Sequence, residues 1–273
     1  MVNPQVIKNA QKTQLIIMDA IHELCVTHNL TYYLIGGTAL GAVRHKGFIP
    51  WDVDIDIAMP RKDYELFINK YSRDLAPNIE CKNYKNTKGY LSPHAVAVLV
   101  NSKLVLRDDI LNNIDRQVYI DIMPLDNVPK SSLAQQFQAR AIKFIKYLKK
   151  IKDAKCFATN SKAVVLIKKT RALLLYPFSL NYLNKIMDKV MRLSENRETG
   201  YLCSMASHFS YQKQMFEKEI YGTPQEVSFE GRSYFAPEQL DYYLKRLYGD
   251  YMKLPSKESQ ERQMEFIKDV QTW

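Results

Sequence analysis

The sequence predicts an α+β fold, a mixed β-sheet flanked by helices, with a largely helical basic region and C-terminal helices. Three observations lead there. Short runs of branched and aromatic residues at 32–35, 53–59 and 118–123 have strand character. Helix-period apolar patterns lie before, between and after them. Lysine and arginine crowd into one segment between Ala134 and Leu193, fourteen of them against Asp153 and Asp188. That segment carries +12 of a whole-chain charge of +10, so the remainder sums to −2.

Asn3 and Pro4 suit a helix N-cap and first turn. Ile17, Ile21, Leu24, Cys25 and His28 then mark one apolar face, with His28 a packing residue, and Asn29 ends the helix. Tyr32 to Ile35 is a buried strand closed by a Gly36-Gly37 turn, and Thr38 to His45 a short helix that Thr38 caps. Val53 to Met59 is a strand stopped by Pro60. Lys62 to Tyr71 is a helix with Tyr64, Phe67, Ile68 and Tyr71 inward. Residues 77–94 are polar and turn-rich. Ala95–Val100 and Leu104–Leu106 are expected to form a hairpin turning at Asn101-Ser102-Lys103. Val118 to Met123 is the next strand, with Pro124 and Pro129 marking its exit. Ala141, Phe144, Leu148 and Ile151 recur at helical spacing while Lys143, Lys146 and Lys150 follow another face, and Ala163–Phe178 is a second basic, apolar-rich stretch. Beyond Tyr201 the pattern loosens until Leu240, Tyr243, Leu244, Leu247 and Tyr248 trace a last helix face. The expected division is 1–130 catalytic core, 131–200 basic helical region and 201–273 a C-terminal region packing on the core.

The chemistry concentrates in residues 36–56. In a strand, side chains at i and i+2 share a face, so Asp52, Asp54 and Asp56 point one way and Val53, Ile55 and Ile57 the other. Like charges so placed repel unless a cation lies between them. Hard divalent cations take carboxylate oxygens and share their remaining positions with phosphate. Gly36 and Gly37 offer backbone that a phosphate can approach, at the start of a helix. Alone, an Asp-x-Asp pair is usually a solvated strand face and a Gly-Gly pair a turn. Together, with Arg44 between them as a planar phosphate-binding fork, they predict a metal-dependent phosphoryl or nucleotidyl transfer site.

The run from Tyr33 through Gly36-Gly37-Thr38 and Arg44-His45-Lys46-Gly47 to Trp51 and Asp56 resembles the signature of the LicD family, within the DNA polymerase β-like nucleotidyltransferase superfamily. Tyr119–Asp126 resembles the segment holding that superfamily's third carboxylate, here Asp121, and Leu244–Met252 with Leu254-Pro255 resembles the family's C-terminal block. The chain departs at Val53, where the family often has Asp. The resemblance implies a nucleotidyltransferase-like fold with Asp54, Asp56 and Asp121 as catalytic and metal-binding residues. Gly36, Gly37, Thr38, Arg44 and Trp51 would contact substrate, and Mg²⁺ or Mn²⁺ would be the cofactor. It further implies phosphocholine transfer from CDP-choline, or a related nucleotide-activated donor, to a hydroxyl of a lipid-linked glycan precursor such as teichoic acid or lipooligosaccharide. A quaternary ammonium would call for an aromatic cage. Eighteen Tyr and two Trp leave many candidates, of which Trp51 is nearest the metal strand in sequence.

Composition bounds the remainder. A chain of 273 residues, 46% apolar, forms one large or two small domains. Cys25, Cys81, Cys156 and Cys203 are scattered without zinc spacing and read as reduced structural thiols. The N-terminus has no signal-peptide pattern and no apolar run is long enough to span a bilayer. The expected location is the cytoplasm, with a peripheral position on the inner face of the plasma membrane if the basic segment docks on anionic lipid. The other reading of that segment is a solvated helix face. No nucleic-acid module is recognisable, so nucleic acid is not an expected partner. Two other classes remain open: a nucleotidyltransferase acting from a nucleoside triphosphate on a soluble small molecule, and a non-catalytic membrane-surface protein.

Overall fold

The computed structural model describes residues 4–106, 116–152, 178–264 and 267–272. Asn3, Cys156 and nearly all of the stretch Ala163–Phe178 lie outside the described residues.

Helix α1 (Pro4–Thr27) leads into β1 (Tyr33–Leu34), α2 (Gly36–His45), β2 (Asp56–Pro60) and α3 (Arg61–Asn69). Asn29 closes α1 at φ 52°, a left-handed conformation that Asn tolerates, while Leu30 N–H returns to the Cys25 carbonyl. Strands β3 (Ile79–Lys82), β4 (Ala95–Leu99), β5 (Ser102–Leu106) and β6 (Tyr119–Asn127) follow, then helices α4 (Ser132–Lys152) and α5 (Leu180–Met191). The C-terminal part holds β7 (Tyr201–Cys203), β8 (Met215–Glu217), β9 (Gln225–Phe229), β10 (Arg232–Ala236), helix α6 (Leu240–Tyr248), a further helix Lys257–Met264 and β11 (Ile267–Thr272).

The main sheet runs β1-β2-β6-β4-β3, with β7 on the far end of β6 and β8 on β7. It is mixed: β2 and β6 are parallel, whereas β1–β2, β4–β6 and β3–β4 are antiparallel. The expected hairpin of β4 with β5 does not form. Both edges of β4 are taken, by β3 and β6, so β5 turns out of the sheet and pairs with β11 instead. Nor does Pro124 end β6, which runs on to Asn127 with Pro124 opposite Met59. Asp121 N–H faces β2, bonding the Ile55 carbonyl, so by alternation the ring nitrogen of Pro124 faces the β4 side. There β4 has already ended, at Ala95 opposite Ile122, and no ladder bond is lost.

The weakly patterned stretch after Tyr201 contains the β9–β10 hairpin. Its tip is Glu230-Gly231, both at positive φ (51° and 73°), the two-residue turn whose twist suits paired strands. That tip grips the chain after α2: Glu230 N–H bonds the Lys46 carbonyl, and the Glu230 carboxylate accepts from Phe48 N–H.

One core joins distant parts of the chain. Ile17 and Ile21 of α1, Ile55 and Ile57 around β2, Ile120 and Ile122 of β6, and Tyr243, Leu244 and Leu247 of α6 all belong to it. A smaller cluster packs Ile142 and Ile145 of α4 against Leu183, Met187 and Met191 of α5. The two meet at a buried ionic staple. Arg61 donates to both oxygens of Asp126 (2.7 and 2.7 Å) and to Asp188 of α5 (2.9 Å). The paired carboxylates hold the Arg61 guanidinium charged although it is only 6% exposed.

Candidate active site

The aspartates reach one place by two routes. Only Asp56 lies within β2; the expected strand from Val53 begins three residues late, and Asp52 and Asp54 sit in the loop before it. Helix α1 holds that loop, with the Gln11 amide donating to the Asp52 carbonyl at 2.8 Å and the Gln14 amide to the carbonyls of Val53 and Tyr119. Asp121 arrives on β6. In the parallel ladder it stands directly opposite Asp56, so both carboxyls leave the same face of the sheet.

Gly36 and Gly37 form the first turn of α2 rather than a turn before it. Gly36 has φ +57°, and its N–H bonds the buried Tyr243 hydroxyl at 3.1 Å. A Cβ on Gly37 would lie 2.8 Å from an Asp52 carboxylate oxygen, and one on Gly36 3.4 Å from an Asp56 oxygen. The glycines are therefore the space that the carboxylates occupy. Thr38 does not cap α2. Its hydroxyl accepts from Asp56 N–H at 2.9 Å, and so fixes the start of β2.

The aspartates face each other with little compensation. Burial, then the charge of Asp54 and a hydrogen bond with it, raises the Asp52 carboxyl above its ordinary range. Burial also raises Asp56, followed by the charges of Asp54, Asp121 and Asp52. Asp121 is held at 2.7 Å by His94 Nε2, and Asp52 accepts from Val53 N–H at 3.0 Å. No ion pair among the described residues joins a lysine or arginine to Asp52, Asp54 or Asp56. Repelling, half-buried carboxylates of this kind have the donor chemistry that suits a hard divalent cation. Among the described residues no three His, Cys, Asp or Glu side chains are already turned together as a ligand set.

Two cavities open on the cluster and share Asp54 and Asp56 as a wall. The larger, about 720 Å³, is reached from the N-terminus of α2 and is lined by Gly37, Arg44, Trp51, Asp52, Phe209 and Tyr248 among others. Half-buried Arg44 lines this cavity and donates to the Tyr251 carbonyl at 2.9 Å and to His45 Nδ1 at 3.4 Å. Trp51 is 8% exposed and meets His45 edge-on. Tyr248 at the end of α6 and, after it, Asp250, Tyr251 and residues 253–256 also line this cavity. The smaller cavity, about 430 Å³, adds Asp121, His94 and Ser207, and Lys146, Lys149 and Lys150 of α4 also line it. A still larger cavity, about 890 Å³, lies away from the aspartates between α3 and Arg192–Leu202, where Arg61 pairs with Glu65 and Arg192 with Glu195.

Helix α4 differs from its expected arrangement. Its buried stripe is Gln138, Ile142, Ile145 and Lys149, while Phe144 is exposed. Lys146 turns inward, and Lys143 and Lys150 stay exposed. Leu133, Phe137, Phe144 and Tyr147 form an exposed apolar stripe interrupted by Arg140. His94, Tyr248, Lys146 and Lys149 are site residues that sequence reasoning missed. The resemblance of the C-terminal block held a signal for Tyr248, whereas His94 and the lysines carried none, standing in a turn-rich stretch and a basic run.

Fold and site together define an α+β domain whose mixed sheet gathers half-buried carboxylates beside a glycine-initiated helix. Residues 29–139 match the family model described as LicD/FKTN/FKRP, nucleotidyltransferase domain. Over 262 residues, 93% of this chain and 94% of the relative, the chain is 27% identical to the lipopolysaccharide cholinephosphotransferase LicD of Haemophilus influenzae. Two uncharacterized proteins, of Rickettsia prowazekii and Rickettsia typhi, are 47% identical over 47 residues, which is 17% of this chain and 18% and 15% of theirs. Among the described residues no helix is long and apolar enough to cross a membrane.

Proposed function

We propose that the protein is a phosphotransferase that moves phosphocholine from CDP-choline to a hydroxyl of a cell-surface glycan precursor. The observation that carries the reading is the cluster of Asp52, Asp54, Asp56 and Asp121 placed between two cavities. Similarity to a lipopolysaccharide cholinephosphotransferase along nearly the whole chain supports phosphocholine as the transferred group. An acceptor of the teichoic-acid or lipooligosaccharide kind belongs to the same proposal.

Asp54, Asp56 and Asp121 would hold Mg²⁺ or Mn²⁺, which supplies charge neutralisation for the phosphates and their in-line displacement. The donor lies in the larger cavity, where Arg44 and the first turn of α2 present N–H groups to its phosphates. Trp51, Phe209 and Tyr248 give that cavity aromatic walls for a base or a quaternary ammonium. The acceptor hydroxyl enters from the smaller cavity beside Asp121, whose carboxylate His94 orients. The hydroxyl oxygen bonds to the phosphorus that carries choline, the bond from that phosphorus to the bridging oxygen breaks, CMP leaves with the electron pair, and Asp121 takes the hydroxyl proton.

The exposed stripe of α4, with Arg140, Lys143 and Lys150 around it, suits an anionic lipid surface. Such docking would bring a lipid-linked acceptor to the site from the inner face of the membrane. The deciding experiment offers Mg²⁺ with CDP-choline or with nucleoside triphosphates. Release of CMP from CDP-choline in the presence of a glycan acceptor supports the reading. Consumption of a triphosphate with release of pyrophosphate would replace it with nucleotidyl transfer.

A further inference from the structure

We infer that the smaller cavity contains a phosphate seat, formed by Lys146 and Lys149 of α4, which line it together with Asp54, Asp56 and Asp121. The inference rests on the phosphotransferase reading for the nature of the substrate, and on the lysine geometry for the place.

Lys149 is 4% exposed, and its ammonium donates to the Asn184 side-chain oxygen, a neutral acceptor. Asn184 is fixed in turn by a 2.6 Å bond to the Tyr90 carbonyl. Lys146, one helical turn earlier on the same face, donates at 2.6 Å to the Ser207 carbonyl. No carboxylate lies within ion-pair distance of either ammonium among the described residues. Burial pushes both below the ordinary lysine range, Lys149 to about 7, with Lys146 adding to that shift. Two partly uncompensated cations on a cavity wall are poor material for a core, where Leu or Met would fill the same space without desolvating a charge.

An anion in the cavity resolves the arrangement. It cannot be any anion, because the carboxylates lining the same cavity repel one that offers nothing to them. A tetrahedral phosphate directs some oxygens to the lysines and others toward a cation held by the aspartates. A carboxylate has only two oxygens to divide between them, against the three or more of a phosphate. The phosphate has two sources: the phosphoryl group of the donor, or a phosphate borne by the acceptor.

The test uses the full-length chain with Ca²⁺ in place of Mg²⁺, and calorimetric titration with cytidine, CMP, CDP-choline and glycerol phosphate. Lys149→Met and Lys146→Met remove a buried charge at nearly constant shape, so both are expected to melt no lower than the parent. Each should weaken binding of a phosphate-bearing probe by about tenfold or more, with cytidine unchanged. Loss on CMP or CDP-choline assigns the seat to the donor, and loss on glycerol phosphate alone assigns it to the acceptor. Parent-like affinity of both variants for all three phosphate probes overturns the inference, as does a parent that binds none of them. If a Met variant melts lower, the Gln variant at the same position repeats the test with the same two outcomes. Lysine-dependent phosphate binding without turnover of CDP-choline would leave the seat standing and remove the phosphocholine reading. Turnover with lysine-independent binding would do the reverse.

Discussion

Asp56 and Asp121 stand opposite one another on the parallel strands β2 and β6, and no basic side chain among the described residues forms an ion pair with Asp56. Parallel pairing makes their separation a property of the sheet rather than of side-chain choice, so the repulsion is built into the backbone.

Asp56→Asn should abolish transfer while leaving the fold intact. The sign of its pH effect follows from the raised carboxyl. A group that holds its proton more tightly when folded contributes stability at low pH and loses it as pH rises. The window runs from the unfolded value of about 3.9 up through the higher folded value of Asp56. Metal-free Asp56→Asn should therefore melt at or above the parent near neutral pH and show a flatter profile across that window. Melting curves with chelator and with Mg²⁺ check this, and near-parental turnover by the variant in saturating Mg²⁺ would remove Asp56 from the chemistry.

His94→Ala releases Asp121 from its 2.7 Å partner. Loss of a partner that orients a metal-binding carboxylate typically weakens metal affinity by 10–100-fold, and a drop of that order is expected here. Titrating Mg²⁺ against initial rate measures it. An unchanged Mg²⁺ dependence would mean that Asp121 needs no orientation.

Gly37→Ala brings a Cβ to 2.8 Å from the Asp52 carboxylate, closer than packed atoms tolerate. Asp52 must move, so turnover should fall well beyond any loss of melting temperature. A variant with both parental would show that Asp52 has room to shift without consequence.

Arg61→Met should be the most destabilising of these changes, at about 3–5 kcal/mol, because it strands Asp126 and Asp188 in the interior. Denaturant unfolding reports it directly. A loss below ~1 kcal/mol would mean that the two carboxylates are readily protonated or rehydrated.

Binding to vesicles should grow with anionic lipid and weaken with salt. Replacing Lys143 and Lys150 with Gln is expected to reduce it by about tenfold or more, and Phe137→Ser with Phe144→Ser to reduce it further. Lys146 is left out of this set because its ammonium points into the protein. Absence of vesicle binding by the parent chain would leave the α4 stripe as an ordinary exposed face.

The sequence by itself determined what depends on local order. The strands at Tyr33–Leu34 and from Asp56 onward were legible because alternation acts over a few residues. The faces of α1, α3 and α6 were legible for the same reason. Asp52 and Asp54, expected on the same strand face, instead lie in the loop before β2, and Gly36-Gly37, expected as a turn, begin α2. Tertiary structure alone decided what stands opposite each face. The periodicity of α4 announces a helix, yet Lys146 reads as one of the basic face with Lys143 and Lys150 until the Ser207 carbonyl is placed beside it. Asp126 lies in the same strand as Asp121, but Arg61 makes it a structural anchor. The sheet neighbours decided the fate of β5, since β4 had no free edge to offer it. Long-range pairings are selected by the packing of the whole chain, and no window of sequence contains both partners.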